Sequence, residues 1–192
     1  MKRDTRQALI EAGAELVHRQ GFARTGLQEI LAAAGVPKGS FYFYFASKEE
    51  FGLALIEHHR RTIGQRLAKL LNDPSLPPLA RLAAFFARVR EQQAADGCAL
   101  GCPIGNLAQE LSDLSPAMRE ELKKSLAGLD AGLCGVLGEA AERGELPDGM
   151  DPAQAASFII DALEGALLRM KAEKSVEPLL RFEEFIFTRV LG

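Results

Sequence analysis

Apolar positions recur at helical spacing through almost the whole chain, and the breaks between runs are sharp. Ala8, Leu9, Ala12, Leu16 and Val17 form one face of a helix expected over Arg3 to Gln20. Leu27, Ile30, Leu31 and Ala34 form the face of a second, with Thr25 placed to cap it and Gly35 suited to end it. Val36 points back to the core, and Pro37 helps stop that helix and start the next. The third is short, roughly Lys38 to Phe45. Phe41 and Phe45 lie one turn apart and share its buried side, which turns Tyr42, Phe43 and Tyr44 outward. Gly39 and Ser40 lead it with almost no bulk, so its backbone can approach a groove closely. Ser47-Lys48-Glu49-Glu50 reads as a capping box and opens a long helix to about Leu71.

Asn72 to Pro78 is the clearest break in the chain. Leu82, Phe85, Phe86 and Val89 then mark a helix from Leu79 to about Gln93. A glycine-containing loop, Asp96 to Pro103, precedes a short helix over Pro103 to Leu111. Ser115-Pro116 opens a helix that can run to Arg143, ended by Gly144. Asp151-Pro152 opens another, to about Lys174, that buries Ala156, Ile159, Ile160, Leu163 and Leu167. The last runs from about Val176 to Val190, with Pro178 in its first turn. Ala, Leu and Glu are abundant and β-branched residues do not cluster, so the fold class is all-α. The expected division is a head at residues 1–46 and a larger helical domain at 47–192, in which 47–71 is a linking helix.

Composition bounds the picture without sharpening it. The 192 residues are 47% hydrophobic and 26% charged, enough for a good core. No apolar run reaches the length needed to span a membrane, and the N-terminus lacks the apolar centre of a signal peptide. A cytosolic protein is expected. The net charge is −3, but residues 1–61 carry nine Lys or Arg against seven Asp or Glu, a net +2, which leaves −5 for the rest. A mildly basic head can hold a polyanion through a few placed contacts, with affinity that falls steeply as salt rises.

The chemistry that stands out lies between Lys38 and Lys48. Three outward aromatics on one short helix are not what a solvated face carries. With a helix, a turn and a small-headed second helix, they suit a surface that rests on DNA; a helical corner with aromatic packing is the plainer alternative. Lys48 and the free N–H groups at the start of its helix are natural phosphate contacts.

In order and spacing, Gly21-Phe22, Thr25, Ile30, Ala34-Gly35-Val36, Lys38-Gly39, Phe41-Tyr42, Tyr44-Phe45 and Ser47-Lys48-Glu49 resemble the DNA-binding domain of TetR-family transcriptional regulators. Gly26 departs from the small hydroxyl residue common there, and Tyr44 from histidine. The resemblance implies that Gln28 reaches a base edge or a phosphate. It implies that Lys38, Gly39, Ser40 and Phe43 lie along the major groove, with Phe43 against thymine methyls. Thr25, Tyr42, Tyr44 and Lys48 would hold phosphates and set the register. It implies a regulator rather than an enzyme, most often a repressor, released from a palindromic operator by an effector that acts on the C-terminal domain.

That domain offers two further readings. Ala155, Ala156, Ala162, Gly165 and Ala166 would let another helix approach closely, and Phe182, Phe185, Ile186 and Phe187 add apolar bulk. A homodimer built from the last two helices, four helices across the interface, is expected. The three cysteines match no zinc pattern, and neither metal nor cofactor is expected. Cys134 lies in an apolar run, whereas Cys102 precedes Pro103 at a helix start, where the dipole favours a thiolate. Gly101 to Ser112 is similar to a segment of the TetR subgroup that senses electrophiles and oxidants, which includes the repressor of N-ethylmaleimide reductase. Cys102 would then be the sensor; a buried thiol without chemistry is the alternative. Phe85, Phe86, Asn106, Gln109 and Leu163 are candidates for the wall of an effector pocket. Two other functions stay open: a thiol redox enzyme using Cys98 and Cys102, for which no base or nucleotide site is evident, and an effector-binding scaffold that no longer binds DNA.

Overall fold

The computed structural model describes residues 4–192. Among these the chain forms nine α-helices and a closing π-helical turn, with no strand. The helices are α1 (Thr5–Gln20), α2 (Leu27–Ala34), α3 (Phe41–Tyr44), α4 (Lys48–Leu71), α5 (Pro78–Ala95), α6 (Pro103–Leu111), α7 (Pro116–Glu142), α8 (Pro152–Glu173) and α9 (Glu177–Phe185), followed by the turn Ile186–Val190. The all-α expectation holds. Arg3, expected to open the first helix, lies outside the described residues; Asp4 caps α1, its carboxylate accepting from the N–H groups of Arg6 and Gln7. No helix among the described residues is long and apolar enough to cross a membrane.

Packing divides the chain into two compact units. One holds the chain up to Thr62 together with Pro103–Ser125; the other holds Ile63–Cys102 and Leu126–Gly192. Compactness therefore does not break at residue 46. The first half of α4 and all of α6 pack with the helix-turn-helix, because Phe51, Leu55, Ile104 and Leu107 are buried there.

In the first unit, Leu9, Ile10 and Val17 of α1, Ile30 and Leu31 of α2, and Phe41, Phe45 and Phe51 are all buried. The three phenylalanine rings pack with centroids 5.0–5.4 Å apart. Burial of each ring stabilises the unit by roughly 2 kcal/mol, and together they hold α3 against the core. Gly13 makes room for them: a Cβ there would fall 2.3 Å from Cζ of Phe51. Gly35 ends α2 at φ +66, and the Val36 N–H donates to the Leu31 carbonyl at 2.9 Å, as the sequence leads one to expect.

The second unit is built around Leu82, Phe86, Leu133, Leu137, Ala156, Ile159, Ile160, Met170, Leu179 and Ile186. Arg81 is buried within it. Its guanidinium donates to the carbonyls of Leu71 (3.2 Å) and Leu76 (2.8 Å) and pairs with Glu139 at 2.8 Å, so it satisfies the open end of α4. The expected single last helix is interrupted. After Phe185 the chain widens by one residue per turn, and the Leu191 N–H donates to the Ile186 carbonyl at 2.9 Å. That spacing brings Ile186 and Leu191, five residues apart, into the core together.

Candidate nucleic-acid interface

The turn from α1 into the motif is held from three sides. The Glu110 carboxylate, on α6, accepts the N–H groups of Phe22 (2.8 Å) and Ala23 (2.6 Å). The Lys48 ammonium donates to the Phe22 carbonyl at 2.9 Å and lies 4.8 Å from the Phe22 ring centroid. Thr25 is fully buried, and its hydroxyl donates to the Gly21 carbonyl at 2.6 Å. Two expectations for Thr25 are thereby corrected. Gly26, not Thr25, precedes α2, and the Glu29 carboxylate caps the helix by accepting the Gly26 N–H at 2.9 Å. The one proton of the Thr25 hydroxyl is committed inward, so its side chain has no donor left for a phosphate.

The third helix is one turn, shorter than Lys38 to Phe45. Pro37 to Ser40 forms a turn of its own, with the Ser40 N–H donating to the Pro37 carbonyl and Gly39 at φ +96. An L side chain rarely adopts that angle, so glycine is needed there and the turn stays bare. Phe45 is already extended, at φ −139. Phe41 and Phe45 are buried as expected. On the outer side Tyr42 is 67% exposed and Phe43 83%, while Tyr44 is half-buried with its ring 5.0 Å from that of Phe43. Lys38, Gly39 and Gln28 are exposed, and Ser40 is half-buried. Arg6, which the sequence pattern does not single out, lies with its guanidinium 4.9 Å from the Phe45 ring centroid and adds a cation near α3. At the start of α4 the Ser47 hydroxyl accepts the Glu50 N–H at 3.0 Å, and the Glu50 carboxylate accepts the Ala46 N–H.

Residues 9–55 match the model of bacterial regulatory proteins of the tetR family, and residues 78–186 match the tetracyclin repressor-like C-terminal domain. This chain belongs to the TetR family. It is 37% identical to the HTH-type transcriptional repressor DhaR of Mycobacterium sp., over 97% of this chain and 92% of that protein. It is 40% identical to the transcriptional regulator AcuR of Cereibacter sphaeroides, over 97% and 83%. The crystal structure of Escherichia coli NemR in its reduced form superposes with a TM-score of 0.86 at 34% identity, covering 98% of both chains. The protein is thus a helix-turn-helix DNA-binding transcriptional regulator, in a group whose named members include repressors.

In this TetR-family regulator the candidate effector residues fall in different units. Phe85, Phe86 and Leu163 are buried in the second unit's core, with the rings of Phe86 and Phe182 5.0 Å apart. Cys102 is half-buried against the same core. Asn106, half-buried, and Gln109, exposed, belong to the first unit. Cys98 is buried and Cys134 half-buried, both in or against the second unit's core. The Cys102 thiol is hydrogen-bonded to the Glu164 carboxylate of α8. Burial pushes that carboxyl above the usual range, and the hydrogen bond from the thiol partly opposes the shift. Sequence reasoning passed over Glu164 because it sits beside Leu163, where a carboxylate reads as the solvent side of an amphipathic helix.

Proposed function

We propose that this regulator is a cytoplasmic homodimeric repressor that leaves a palindromic operator when an electrophile or oxidant modifies Cys102. The observation that carries the DNA part is the exposure of Tyr42 and Phe43 on a helix held rigidly from behind by three buried phenylalanines. Such apolar surface beside Lys38 gains by resting on sugar, phosphate and thymine methyl groups. Gln28, Lys38, Gly39, Ser40 and Phe43 face the groove, and Tyr42, Tyr44 and Lys48 meet phosphates. The dimer is supported by Phe158, Leu168, Leu180 and Phe185, all large, apolar and exposed on α8 and α9. The sensor is supported by the half-buried Cys102 and by similarity to a regulator known in a reduced form.

Fluorescence anisotropy on DNA from upstream of the protein's own gene tests this, before and after maleimide treatment. Tight binding at moderate salt that is lost on modification is the expected result. Tight binding that ignores the reagent points to a noncovalent effector in the Phe85, Phe86 and Leu163 region. Binding no better than to random DNA, or unchanged binding by the Tyr42→Ala, Lys48→Ala double variant, overturns the operator reading.

A further inference from the structure

Around the helix-turn-helix the carboxylates are spent on donors inside the first unit. Glu29 accepts the Gly26 N–H, Glu50 the Ala46 N–H, Glu49 the Ser115 hydroxyl, and Glu110 the N–H groups of Phe22 and Ala23. At the start of α1, Asp4 accepts the N–H groups of Arg6 and Gln7, and Glu11 accepts from the Gln7 side chain at 2.9 Å. The cations divide differently. Among the described residues Arg19 pairs with Glu15 and Arg60 with Glu57, each on its own helix, whereas Arg6, Arg24 and Lys38 pair with no carboxylate. Arg6 has none within helical reach, because the residues three and four further on are the buried Leu9 and Ile10. It is exposed, yet it is not left to water: its guanidinium lies 4.9 Å from the Phe45 ring centroid. That ring packs on those of Phe41 and Phe51, with centroids 5.4 and 5.0 Å away. Phe45 directly follows Tyr44, so an unpaired cation is fixed at the end of the helix whose outer side carries Tyr42 and Phe43.

We propose that the DNA-binding face reaches beyond the helix-turn-helix to the first turn of α1, where Arg6, held over the Phe45 ring, takes a phosphate of the duplex backbone. The proposal rests on the reading that the outer side of α3 meets the DNA. Arg6 supplies donors that the motif itself is short of. The Thr25 proton is spent on the Gly21 carbonyl, and the Lys48 ammonium already donates to the carbonyls of Phe22 and Ala23. A guanidinium that rests on a ring keeps the N–H donors along its edge, and two of them match two oxygens of one phosphate. Because the ring orients the side chain before DNA arrives, little rotamer freedom is lost on binding. A phosphate carries no sequence information, so Arg6 raises the affinity for every duplex alike and sets how the head is seated rather than which bases it reads.

An arginine that only covers a ring leaves the salt dependence of DNA binding alone, so the two roles separate in one measurement. The test is fluorescence anisotropy of the full chain on a labelled duplex of random sequence, at salt from about 50 to about 200 mM. In Arg6→Gln the affinity should fall. The further loss that salt causes over that range should be about threefold smaller than in the wild type for each head seated on the duplex, the share of one phosphate contact. Arg6→Lys, which keeps the charge without the planar fork, should keep the wild-type salt slope and serves where Gln disturbs the fold. A Gln variant with the wild-type slope, or a Lys variant that loses as much slope as Gln, overturns the proposal. Tyr42→Ala, measured beside them, separates this failure from that of the α3 reading. If Tyr42→Ala weakens binding and Arg6→Gln does not, α1 is no part of the face and the α3 reading stands. If neither change has an effect, the DNA meets another side of the head and both readings fall.

Discussion

Single side chains in the first unit carry its response to acid. His59 is buried on α4, its Nε2 has no hydrogen-bond partner among the described residues, and its ring lies near those of His18 and His58. Burial first, then the charges of His18 and His58, push it down to about 3. His58 is lowered as well, by burial and Arg61, with Glu11 opposing. The folded chain keeps His59 neutral, whereas the unfolded chain binds a proton below about 6.5. Between pH 6.5 and 3 the unfolded state therefore holds the extra proton. The stability from a neutral His59 is full above 6.5 and is lost as pH falls through that window. Each unit of pKa difference is worth about 1.4 kcal/mol. Guanidinium midpoints measured from pH 7 to pH 5 should fall in the wild type and fall less in His59→Leu, which has no proton to bind. Leu also removes a buried unsatisfied nitrogen, so the variant should be no less stable at pH 7. Parallel pH dependences would show that the acid response originates elsewhere.

At the scale of elements, α6 supports the DNA-reading head through Glu110. Its carboxylate takes two backbone N–H groups of the turn after α1, groups that no helix serves. Hydrogen bonds to a charged acceptor contribute about 1.5–3 kcal/mol, so Glu110→Ala should cost about 2 kcal/mol in the first unit and weaken operator binding. Amide exchange should quicken at Phe22 and Ala23 while the amides of α5 keep their protection; uniform acceleration across both units would mean a global effect and refute a local brace. Glu110 was not legible in the sequence, because its partners are 87 and 88 residues away and no periodicity records them. The long helices were legible, since each repeats its apolar face over several turns and is bounded by proline, glycine or a capping carboxylate. Short elements were not. The extent of α3 was overestimated, because the bare turn from Pro37 to Ser40 uses the same small residues as a helix start. The π-helical turn was missed because Ile186 and Leu191 share a face at a spacing of five, which a helical reading does not look for. Thr25 was misplaced by one residue, and with its cap role went its phosphate role. Phe41, Phe45, Tyr42 and Phe43 were placed correctly on inner and outer sides, because two buried rings one turn apart leave no other solution.

For the whole molecule, the proposed dimer would decide whether the head can read a two-fold operator. Phe158 and Leu168 of α8 are each 52% exposed, Phe185 of α9 is 57% and Leu180 38%. On α8, Phe158, Asp161, Gly165 and Leu168 follow one another at steps of three and four, so they line one face, with a glycine where a second helix can come close. Side chains of this size lose about 25 cal/mol for each Å² of apolar surface left in water, and a two-fold interface covers each patch with its own copy. Leu168→Glu with Phe185→Asp places four like charges across such an interface, two from each copy, and should turn a dimer into a monomer in sedimentation equilibrium. The heads are untouched by these changes, so the variant should keep its fold and its weak binding to random DNA. Operator affinity should collapse, because two recognition helices about one helical turn, roughly 34 Å, apart read both half-sites only when joined. The dependence of log affinity on log salt should fall to about half its wild-type slope, since half the phosphates are neutralised per bound protein. A wild type that already sediments as a monomer, or a double variant that keeps the full salt slope, removes the two-fold arrangement and with it the palindromic operator.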